Sequence, residues 1–412
     1  MADMNKSCKS CQFVLKVSHR FCPNCDDPFN ELDALESLDE RGLISYYFSC
    51  GFTYRSIVKI LEKRHDLSIS YGTLKLRLKE YNLKRRGVEY DDEIVHHRIV
   101  QLLDGPGCIA GYRTVWHTLQ KEGIQVPRHV VEEKLKELDP EGCEMRKRKC
   151  LKRRQYYNSG PNHAWHVDGY DKLKPYGFPI HGAIDGWSRK IMWLRVARSN
   201  NLPEIPATFY LECVAEHEGC PVKVRSDCGT ENGIITAMQC EFRNDENAHS
   251  FGQSVANQRI EGWWSFFRKN RSTWWINLFK DLVETQVLTL GNEMEMECLW
   301  YCFSTLIQKD LDITKEHWNT HYIRKSHHDT VSGRPDELFY IPELHGGEDG
   351  LLSQISLSQI QFVADNLLQY EEEENLYQEY FNYLCEGLHL QKPMTWREGL
   401  LLYQRLTEIA RG

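Results

Sequence analysis

Three acidic residues of this chain lie in patterns that could bring their side chains together. Asp168 lies in the alternating stretch "WHVDGY", and Asp227 ends the stretch "VKVRSD". Glu261 follows 34 positions after Asp227, in the stretch "NQRIEGWWSFFR". If the first two stretches are paired strands, their carboxylates come side by side. A helix that crosses the same sheet edge can then bring Glu261 to face both.

Such a cluster of acids predicts a divalent metal site. Three carboxylates without a basic partner repel one another, which destabilises the fold unless a cation neutralises them. Hard oxygen ligands select Mg²⁺ or Mn²⁺. Two such ions about 4 Å apart can activate a nucleophile and stabilise the leaving oxygen at a phosphorus atom.

The segments around these acids predict a mixed sheet with helices on its faces. Four stretches have the pattern of strands: "HAWHVDGY", "PIHGAIDG", "KIMWLRVA" and "VKVRSD". A helix is predicted to start after Pro206 and to end at Gly219, between the third and fourth strands. A second helix carries Glu261 and has apolar residues at helical spacing. Strands in this order, with helices between and after them, indicate an α/β domain.

Other polar residues near the three acids have structural explanations. Asp185, in the hairpin "AIDGWSRK", is predicted to cap its turn, and Glu231 is predicted to brace the turn after Asp227. His163 and His166 flank the first strand. Imidazole suits zinc better than magnesium, so neither histidine is predicted to be a ligand of the acidic site.

Two Cys-x-x-Cys pairs predict a structural zinc site in residues 1–36. The pairs are Cys8 with Cys11 and Cys22 with Cys25, and ten residues separate them. Zinc takes four thiolates at about 2.3 Å in a tetrahedron, and each short loop can present two of them. A ribbon of this size cannot build a core unaided, so the bound metal would supply the folding free energy.

A basic pair of helices is predicted in residues 40–88. Thr53 could cap the first helix and Ser70 the second. Two short helices joined by a tight polar turn are typical of a helix-turn-helix module, although any basic helical hairpin has the same pattern. The cations predicted to contact DNA are Lys75, Arg77, Lys79, Lys84, Arg85 and Arg86 in this module, and Arg268 and Lys269 after Glu261.

A second helix-turn-helix-like domain is predicted in residues 91–142. Its helices would run from about Tyr112 to Glu122 and from about Arg128 to Leu138, and Gly123 and Pro140 would stop them. This pair of helices has almost no net charge, so its sequence is as consistent with a packing role as with DNA recognition. The basic run "MRKRKCLKRR", in a predicted linker of residues 143–158, could follow phosphates or direct the protein to the nucleus.

Charge is distributed by segment along the 412 residues. The net charge is −8, but residues 336–412 have 14 acidic and 4 basic residues, while residues 41–90 have 11 basic and 4 acidic ones. Residues 342–412 are predicted to form an acidic helical tail, and the basic segments favour a polyanionic partner. No apolar run is long enough for a membrane span. Fifteen cysteines without a secretory signal pattern predict a reducing compartment.

Five stretches resemble motifs of the retroviral-type integrase and transposase family. "HAWHVDGY" resembles its first-Asp strand, and "RSDCGTEN" resembles its Ser-Asp-x-Gly-x-Glu motif. "AIDGWSRKIMWLRV" resembles its Asp-x-x-Ser-Arg hairpin, and "NQRIEGWWSFFR" resembles its third-acid helix. "HWNTHYIRKSHHDTVSGRPDELFY" resembles its closing segment. The chain is similar to transposon-derived integrase-core proteins of animal genomes, and the segment from Gly107 to Pro140 resembles a helical unit of bacterial insertion-sequence transposases.

This resemblance implies a multidomain α/β protein. Its catalytic core, residues 159–341, would have a ribonuclease-H-like mixed five-stranded sheet with flanking helices, preceded by the zinc ribbon and the helix-turn-helix modules. The resemblance implies catalytic roles for Asp168, Asp227 and Glu261, which would hold two Mg²⁺ or Mn²⁺ ions. The implied reaction is DNA strand cleavage and transfer, with double-stranded DNA as partner and a homo-oligomer as the assembly.

The chain departs from the family in ways that leave two other functions open. Cys228 stands where the family usually has Asn, four cysteines stand in place of a His-His-Cys-Cys zinc domain, and a tryptophan pair follows the third acid. The protein could be a non-catalytic, host-adopted DNA-binding protein on an integrase scaffold. It could also be a ribonuclease H-like nuclease, in which Glu212 or Glu216 would serve as a further catalytic carboxylate.

Overall fold

The computed structural model describes residues 6–7, 14–15, 38–85, 90–104, 110–140, 143, 158–252, 257–325, 331–367 and 375–411. The four zinc-site cysteines, Arg86 and the basic run of the predicted linker lie outside the described residues. The chain divides into two compact units, the first comprising Met1–Val88 with Gln120–Gly123 and the second Glu89–Leu119 with Ile124–Gly412.

Three helices form the main part of the first unit: α1 Glu40–Ser49, α2 Tyr54–His65 and α3 Tyr71–Glu80. Two short strands of this unit, β1 Lys6–Ser7 and β2 Val14–Leu15, pair antiparallel. The side chains buried around the three helices include Ile44, Tyr47, Phe52, Ile57, Ile60, Leu61 and Leu74. The sequence pattern predicted α2 and α3, and the structure adds α1.

The predicted caps of α2 and α3 are confirmed. The Thr53 hydroxyl accepts a hydrogen bond from the Ser56 amide at 3.2 Å, and the Ser70 hydroxyl accepts one from the Thr73 amide at 3.0 Å. Each such cap contributes about 1 kcal/mol to stability, because it satisfies an amide that has no partner within the helix. Local sequence therefore determines where both helices begin.

The second unit begins with a small helical bundle: α4 Asp92–Leu103, α5 Tyr112–Lys121 and α6 Arg128–Leu138. The bounds predicted for α5 and α6 are correct to within one residue. Gly123, two residues after the end of α5, has a φ of 83°, a conformation that suits glycine. The apolar side chains of this bundle are Val95, Ile99, Val115, Leu119, Val131 and Leu135.

The centre of the second unit is a mixed five-stranded sheet. Its strands are β3 Ala164–Tyr170, β4 Ile180–Asp185, β5 Ile191–Val196, β7 Lys223–Ser226 and β8 His249–Phe251, and their order is β5-β4-β3-β7-β8. The predicted pairing of the first and fourth strands is confirmed, because β3 and β7 are parallel neighbours. The sequence pattern did not identify β8. Two short strands, β6 Gly219–Cys220 and β9 Ser353–Gln354, pair with each other.

Helices cover both faces of this sheet, which fits the ribonuclease-H-like fold implied by the family resemblance. They are α7 Glu204–His217, α8 Gly233–Arg243, α9 Gln258–Phe267, α10 Thr273–Glu284, α11 Glu293–Thr320, α12 Pro335–Tyr340, α13 Leu357–Leu367, α14 Leu376–Gly387 and α15 Trp396–Arg411. Helix α9 continues through a π-helical turn, Arg268–Ser272, into α10. Helix α7 starts two residues before Pro206 rather than after it, because proline is tolerated in the first helical turn.

The two faces of the sheet have separate apolar layers. Trp165 and Val167 of β3 pack with α7, α8 and α13, whereas Tyr170 packs with α9, α10 and α11. Side chains alternate along a strand, so Asp168 lies on the same face as Tyr170. Residues 342–412 contribute to both layers, through Val363 on one face and Phe381 and Tyr403 on the other. None of the helices in the described ranges is long and apolar enough to cross a membrane.

Candidate active site

Asp168 is the centre of the acidic cluster. It lies on the central strand β3, on the face covered by α9. Burial, then the negative charge of Glu261 and then that of Asp227, raises the pKa of Asp168 to about 8. The three acids that sequence reasoning selected therefore lie close enough to repel one another. The hydrogen bonds from Trp264 and from the Gly169 amide act against the rise in pKa.

Asp227 lies in the turn that follows β7. Its Oδ1 accepts a hydrogen bond from the Asn232 side-chain amide at 3.0 Å and one from the Gly229 amide at 3.2 Å. Because β7 is the parallel neighbour of β3, its C-terminal end lies at the same edge of the sheet. The turn therefore holds a carboxylate in a fixed direction beside the strand of Asp168.

Glu261 lies in the first turn of α9, and its side chain is exposed. The start of this helix is attached to β3 through Asn257, which is buried. The Asn257 side-chain amide donates to the Val167 carbonyl at 2.9 Å, and its Oδ1 lies 2.6 Å from Nδ1 of His166. Since the Asn257 nitrogen already donates, its oxygen must accept, so His166 carries a proton on Nδ1.

Asn257 is one residue of this site that sequence reasoning missed. It bonds to the two residues that precede Asp168, and it directly precedes the helix of Glu261. It therefore sets the position of the third acid relative to the first. A polar side chain just before the apolar helix "QRIEGWWSFF" is the only signal of this role in the sequence.

The structure agrees with the prediction that Glu231 braces its own turn. The Asn232 side-chain amide lies 3.5 Å from Oε1 of Glu231. A Cβ atom added at Gly229 would lie only 1.9 Å from the same oxygen. Glu231 therefore folds over Gly229, and a larger residue at position 229 would require this carboxylate to move.

The prediction that Asp185 caps the hairpin between β4 and β5 is confirmed. The carboxylate is buried and accepts hydrogen bonds from the amides of Asn162 at 2.7 Å, Ser188 at 2.8 Å and Trp187 at 3.2 Å, and from the Ser188 hydroxyl at 2.7 Å. Burial raises the pKa of Asp185, and these four donors oppose the rise. Three of these hydrogen bonds come from Trp187 and Ser188 in the hairpin, and the fourth comes from the Asn162 amide. The carboxylate of Asp185 therefore has a structural role.

The two histidines near the first strand have structural partners. Burial lowers the pKa of His166 to about 3, so the ring is neutral near pH 7 and bonds to Asn257. The His163 ring lies 3.1 Å from the Ser159 hydroxyl.

The acids expected for a ribonuclease H do not join the cluster. Glu212 lies on α7 and is 3.7 Å from Arg195 of the edge strand β5. Helix α7 packs on the face of the sheet that carries Trp165 and Val167, opposite to Asp168. Glu216 lies on the same helix. Neither residue is among the charges that shift the pKa of Asp168.

The donor set of the cluster suits a hard divalent cation. In the described part of the chain, no three His, Cys, Asp or Glu side chains are arranged as a formed metal site. Nevertheless, two carboxylates raise the pKa of a buried third one, and the groups that oppose the rise are neutral N–H donors. A cation with oxygen ligands is the group that would relieve this repulsion.

Six of the predicted DNA-binding cations are exposed, among them Arg85. Lys75 and Lys79 extend from α3, and Lys84 follows it. Arg268 and Lys269 begin the π-helical turn that follows the helix of Glu261. These side chains are accessible to a polyanion.

Two predicted DNA-binding arginines already have partners within the first unit. Arg77 forms ion pairs with Glu40 at 2.6 Å and Glu80 at 3.1 Å. The Arg85 guanidinium lies over the ring of Phe48, 4.8 Å from its centroid. Both arginines therefore stabilise this unit, a role that the sequence pattern did not indicate.

The raised pKa of Asp168 predicts a specific pH dependence of stability. From its ordinary value of 3.8 up to about 8, the folded protein keeps a proton that the unfolded chain releases, so stability falls as pH rises through this window. Asp168→Asn removes this titration. The decline in melting temperature from pH 4 to pH 8.5, measured in chelator, should be smaller in the variant, by about 2–4 °C for each kcal/mol of destabilisation that ionising the buried Asp168 causes.

Glu231→Gln is the matched control for this measurement, because Glu231 is not among the charges acting on Asp168. It should keep the decline of the unmodified protein. Equal declines in the unmodified protein and in Asp168→Asn would show that burial and the two neighbouring carboxylates do not raise the pKa of Asp168.

Comparison with known proteins identifies the segment that contains this site. Residues 155–345 match the family model described as an integrase core domain. The match covers all five strands of the central sheet together with Asp168, Asp227 and Glu261. The chain has no match among curated proteins.

Proposed function

We propose that this protein is a metal-dependent DNA strand transferase, because residues 155–345 match the model of an integrase core domain and the retroviral-type integrase core family consists of polynucleotidyl transferases that act on DNA. In this proposal, Asp168, Asp227 and Glu261 are the catalytic acids. The reaction is cleavage of a phosphodiester by water, followed by attack of a DNA 3′-hydroxyl on a second phosphodiester.

The convergence of three acids at one end of the sheet is the observation that carries the proposal. Burial and the charges of Glu261 and Asp227 raise the pKa of Asp168 to about 8, which destabilises the fold near neutral pH, so a purely structural role gives no reason for the cluster. Perturbed acids at the end of a sheet are typical of functional sites. The cluster favours catalysis over the non-catalytic DNA-binding alternative.

Each of the three carboxylates is held in place by a neighbouring part of the chain. The backbone and Asn232 direct the carboxylate of Asp227, Trp264 directs that of Asp168, and the anchored start of α9 presents Glu261. Asp168, Asp227 and Glu261 would hold Mg²⁺ or Mn²⁺, which would supply charge neutralisation and activation of the attacking oxygen. The protein would hold the carboxylate oxygens in a fixed arrangement. The metal ions, and the DNA phosphate bound to them, would then be positioned before reaction.

A strand-joining assay tests this function. Purified protein, a labelled oligonucleotide and a plasmid should give joined product with Mg²⁺ or Mn²⁺ and none with chelator. An RNA–DNA hybrid in the same assay should stay intact. Hybrid cleavage without joining would favour the nuclease alternative, and DNA binding with neither activity would favour the non-catalytic one.

We further propose that the exposed lysines of the first unit supply part of the DNA affinity. Lys75→Glu with Lys79→Glu should weaken binding and flatten the slope of log affinity against log salt, by about 0.9 for each phosphate that the variant no longer neutralises. Arg77 is left unchanged because it pairs with Glu40 and Glu80. Fluorescence anisotropy at several salt concentrations measures both quantities.

The control is the pair Lys136→Glu and Lys280→Glu, which makes the same change in net charge outside the first unit. Both side chains are exposed, at 57% and 61%, and both lie beside a glutamate one helical turn away. If the control pair flattens the salt slope as much as the test pair, the lysines of α3 have no special role.

A further inference from the structure

We propose that Trp264 is a positioning residue for Asp168 and that Gly182 provides the space in which its indole reaches the carboxylate. The inference rests on the proposed function, because it concerns how one metal-binding acid of that site is held. It adds two residues to the site, and neither of them can itself bind a metal ion.

The indole contacts the acid directly. Nε1 of Trp264 donates a hydrogen bond to Oδ2 of Asp168 at 3.0 Å. Trp264 lies on α9, three residues after Glu261, so the same helix presents one acid and orients another. The side chain is only 5% exposed, and its ring lies 5.0 Å from that of Tyr170. Packing therefore fixes the direction in which its N–H points.

The space for the indole comes from the neighbouring strand. Gly182 of β4 lies directly opposite Asp168 in the register of the sheet. A Cβ atom at Gly182 would lie 3.0 Å from Cη2 of Trp264 and 3.3 Å from both the Leu194 side chain and the Trp193 carbonyl. An alanine at this position would therefore require the indole or one of these neighbours to shift by a few tenths of an ångström.

The chemistry of the donor suits a metal-binding acid. An indole N–H orients a carboxylate oxygen but carries no positive charge, so it does not compete with a divalent cation as a lysine or arginine would. Without this bond, repulsion from Asp227 and Glu261 would favour rotation of the Asp168 carboxylate away from them. Donors of this kind, behind the metal ligands, typically contribute about 10–100-fold to metal affinity or activity.

The adjacent residue provides a matched control. Trp263 is also buried, at 2% exposure, and its ring stacks on Phe267 at 5.3 Å. Its Nε1 has no hydrogen-bond partner among the residues that the structure describes. Trp263→Phe therefore removes the same atoms from the same layer as Trp264→Phe, without removing a bond to an acid.

The test is calorimetric titration of the full chain with Mn²⁺. Trp264→Phe should weaken Mn²⁺ binding by about 10-fold, and Trp263→Phe should leave it unchanged to within about twofold. Strand joining at saturating DNA should fall in Trp264→Phe, while the DNA concentration for half-maximal rate stays the same. Equal Mn²⁺ affinity in Trp264→Phe and the unmodified protein would overturn the inference while leaving the proposed function intact. Failure of the unmodified protein to bind Mn²⁺ would overturn both.

A second variant keeps the inference testable if Trp264→Phe does not fold. Gly182→Ala should also weaken Mn²⁺ binding, because its methyl group displaces the indole. In a Trp264→Phe background, Gly182→Ala should have no further effect, since the smaller phenyl ring no longer fills the space beside residue 182. Fully additive effects of the two substitutions would show that they act independently and would refute the proposed coupling.

Discussion

Replacing Asp168 by Asn, Asp227 by Asn or Glu261 by Gln is expected to abolish strand joining. Each change removes one negative charge at nearly constant volume, so the site loses an anionic ligand without losing its shape. Joining should fall at least about 1,000-fold, which corresponds to roughly 4 kcal/mol in the activation barrier. Cleavage should fall with it, because the metal ions serve both the attacking and the leaving oxygen. DNA affinity should stay the same or rise slightly.

Glu231→Gln is the control for this panel. Its carboxylate packs over Gly229 and belongs to the turn, so the variant should keep measurable joining with Mg²⁺ and with Mn²⁺. If Glu231→Gln lost all joining activity while Glu261→Gln kept full activity, the assignment would be overturned. The third acid would then lie in the turn after Asp227.

Among these variants, Asp185→Asn should cause the largest decrease in the free energy of unfolding. The carboxylate is buried and accepts four hydrogen bonds, from three backbone amides and one hydroxyl. Asparagine keeps one acceptor oxygen but turns an N–H₂ group toward the remaining donors. We expect a loss of about 2–4 kcal/mol, because buried donors are left without partners. The midpoint of thermal unfolding at pH 7 measures the effect.

Asp245→Asn is the control for this stability measurement. Asp245 is exposed, and its Oδ1 accepts from the Asn247 amide at 2.9 Å. Asparagine can keep that bond, so the change should stay within about 0.5 kcal/mol. If Asp185→Asn were as mild as Asp245→Asn, the hairpin would not depend on its buried carboxylate.

The local features of this protein could be read from its sequence. The caps at Thr53 and Ser70, the bounds of α6 and the strand before Asp227 all follow from residues within about four positions of one another. Hydrogen bonds of this kind form within one turn, so the short pattern specifies them. The three acids could also be selected, because their type and their place in strands and a helix are local properties.

The contacts that complete the site depend on tertiary structure. Asn257 and His166 are 91 positions apart, and Trp264 and Asp168 are 96 apart. No local pattern specifies that α9 lies across β3, or that Gly182 is opposite Asp168, because these follow from the order and register of strands distant in the chain. The packing of residues 342–412 into both apolar layers has the same origin. Local hydrogen bonds and periodicity determine most of the elements around the site, whereas only the close packing of the whole sheet domain decides which side chains meet.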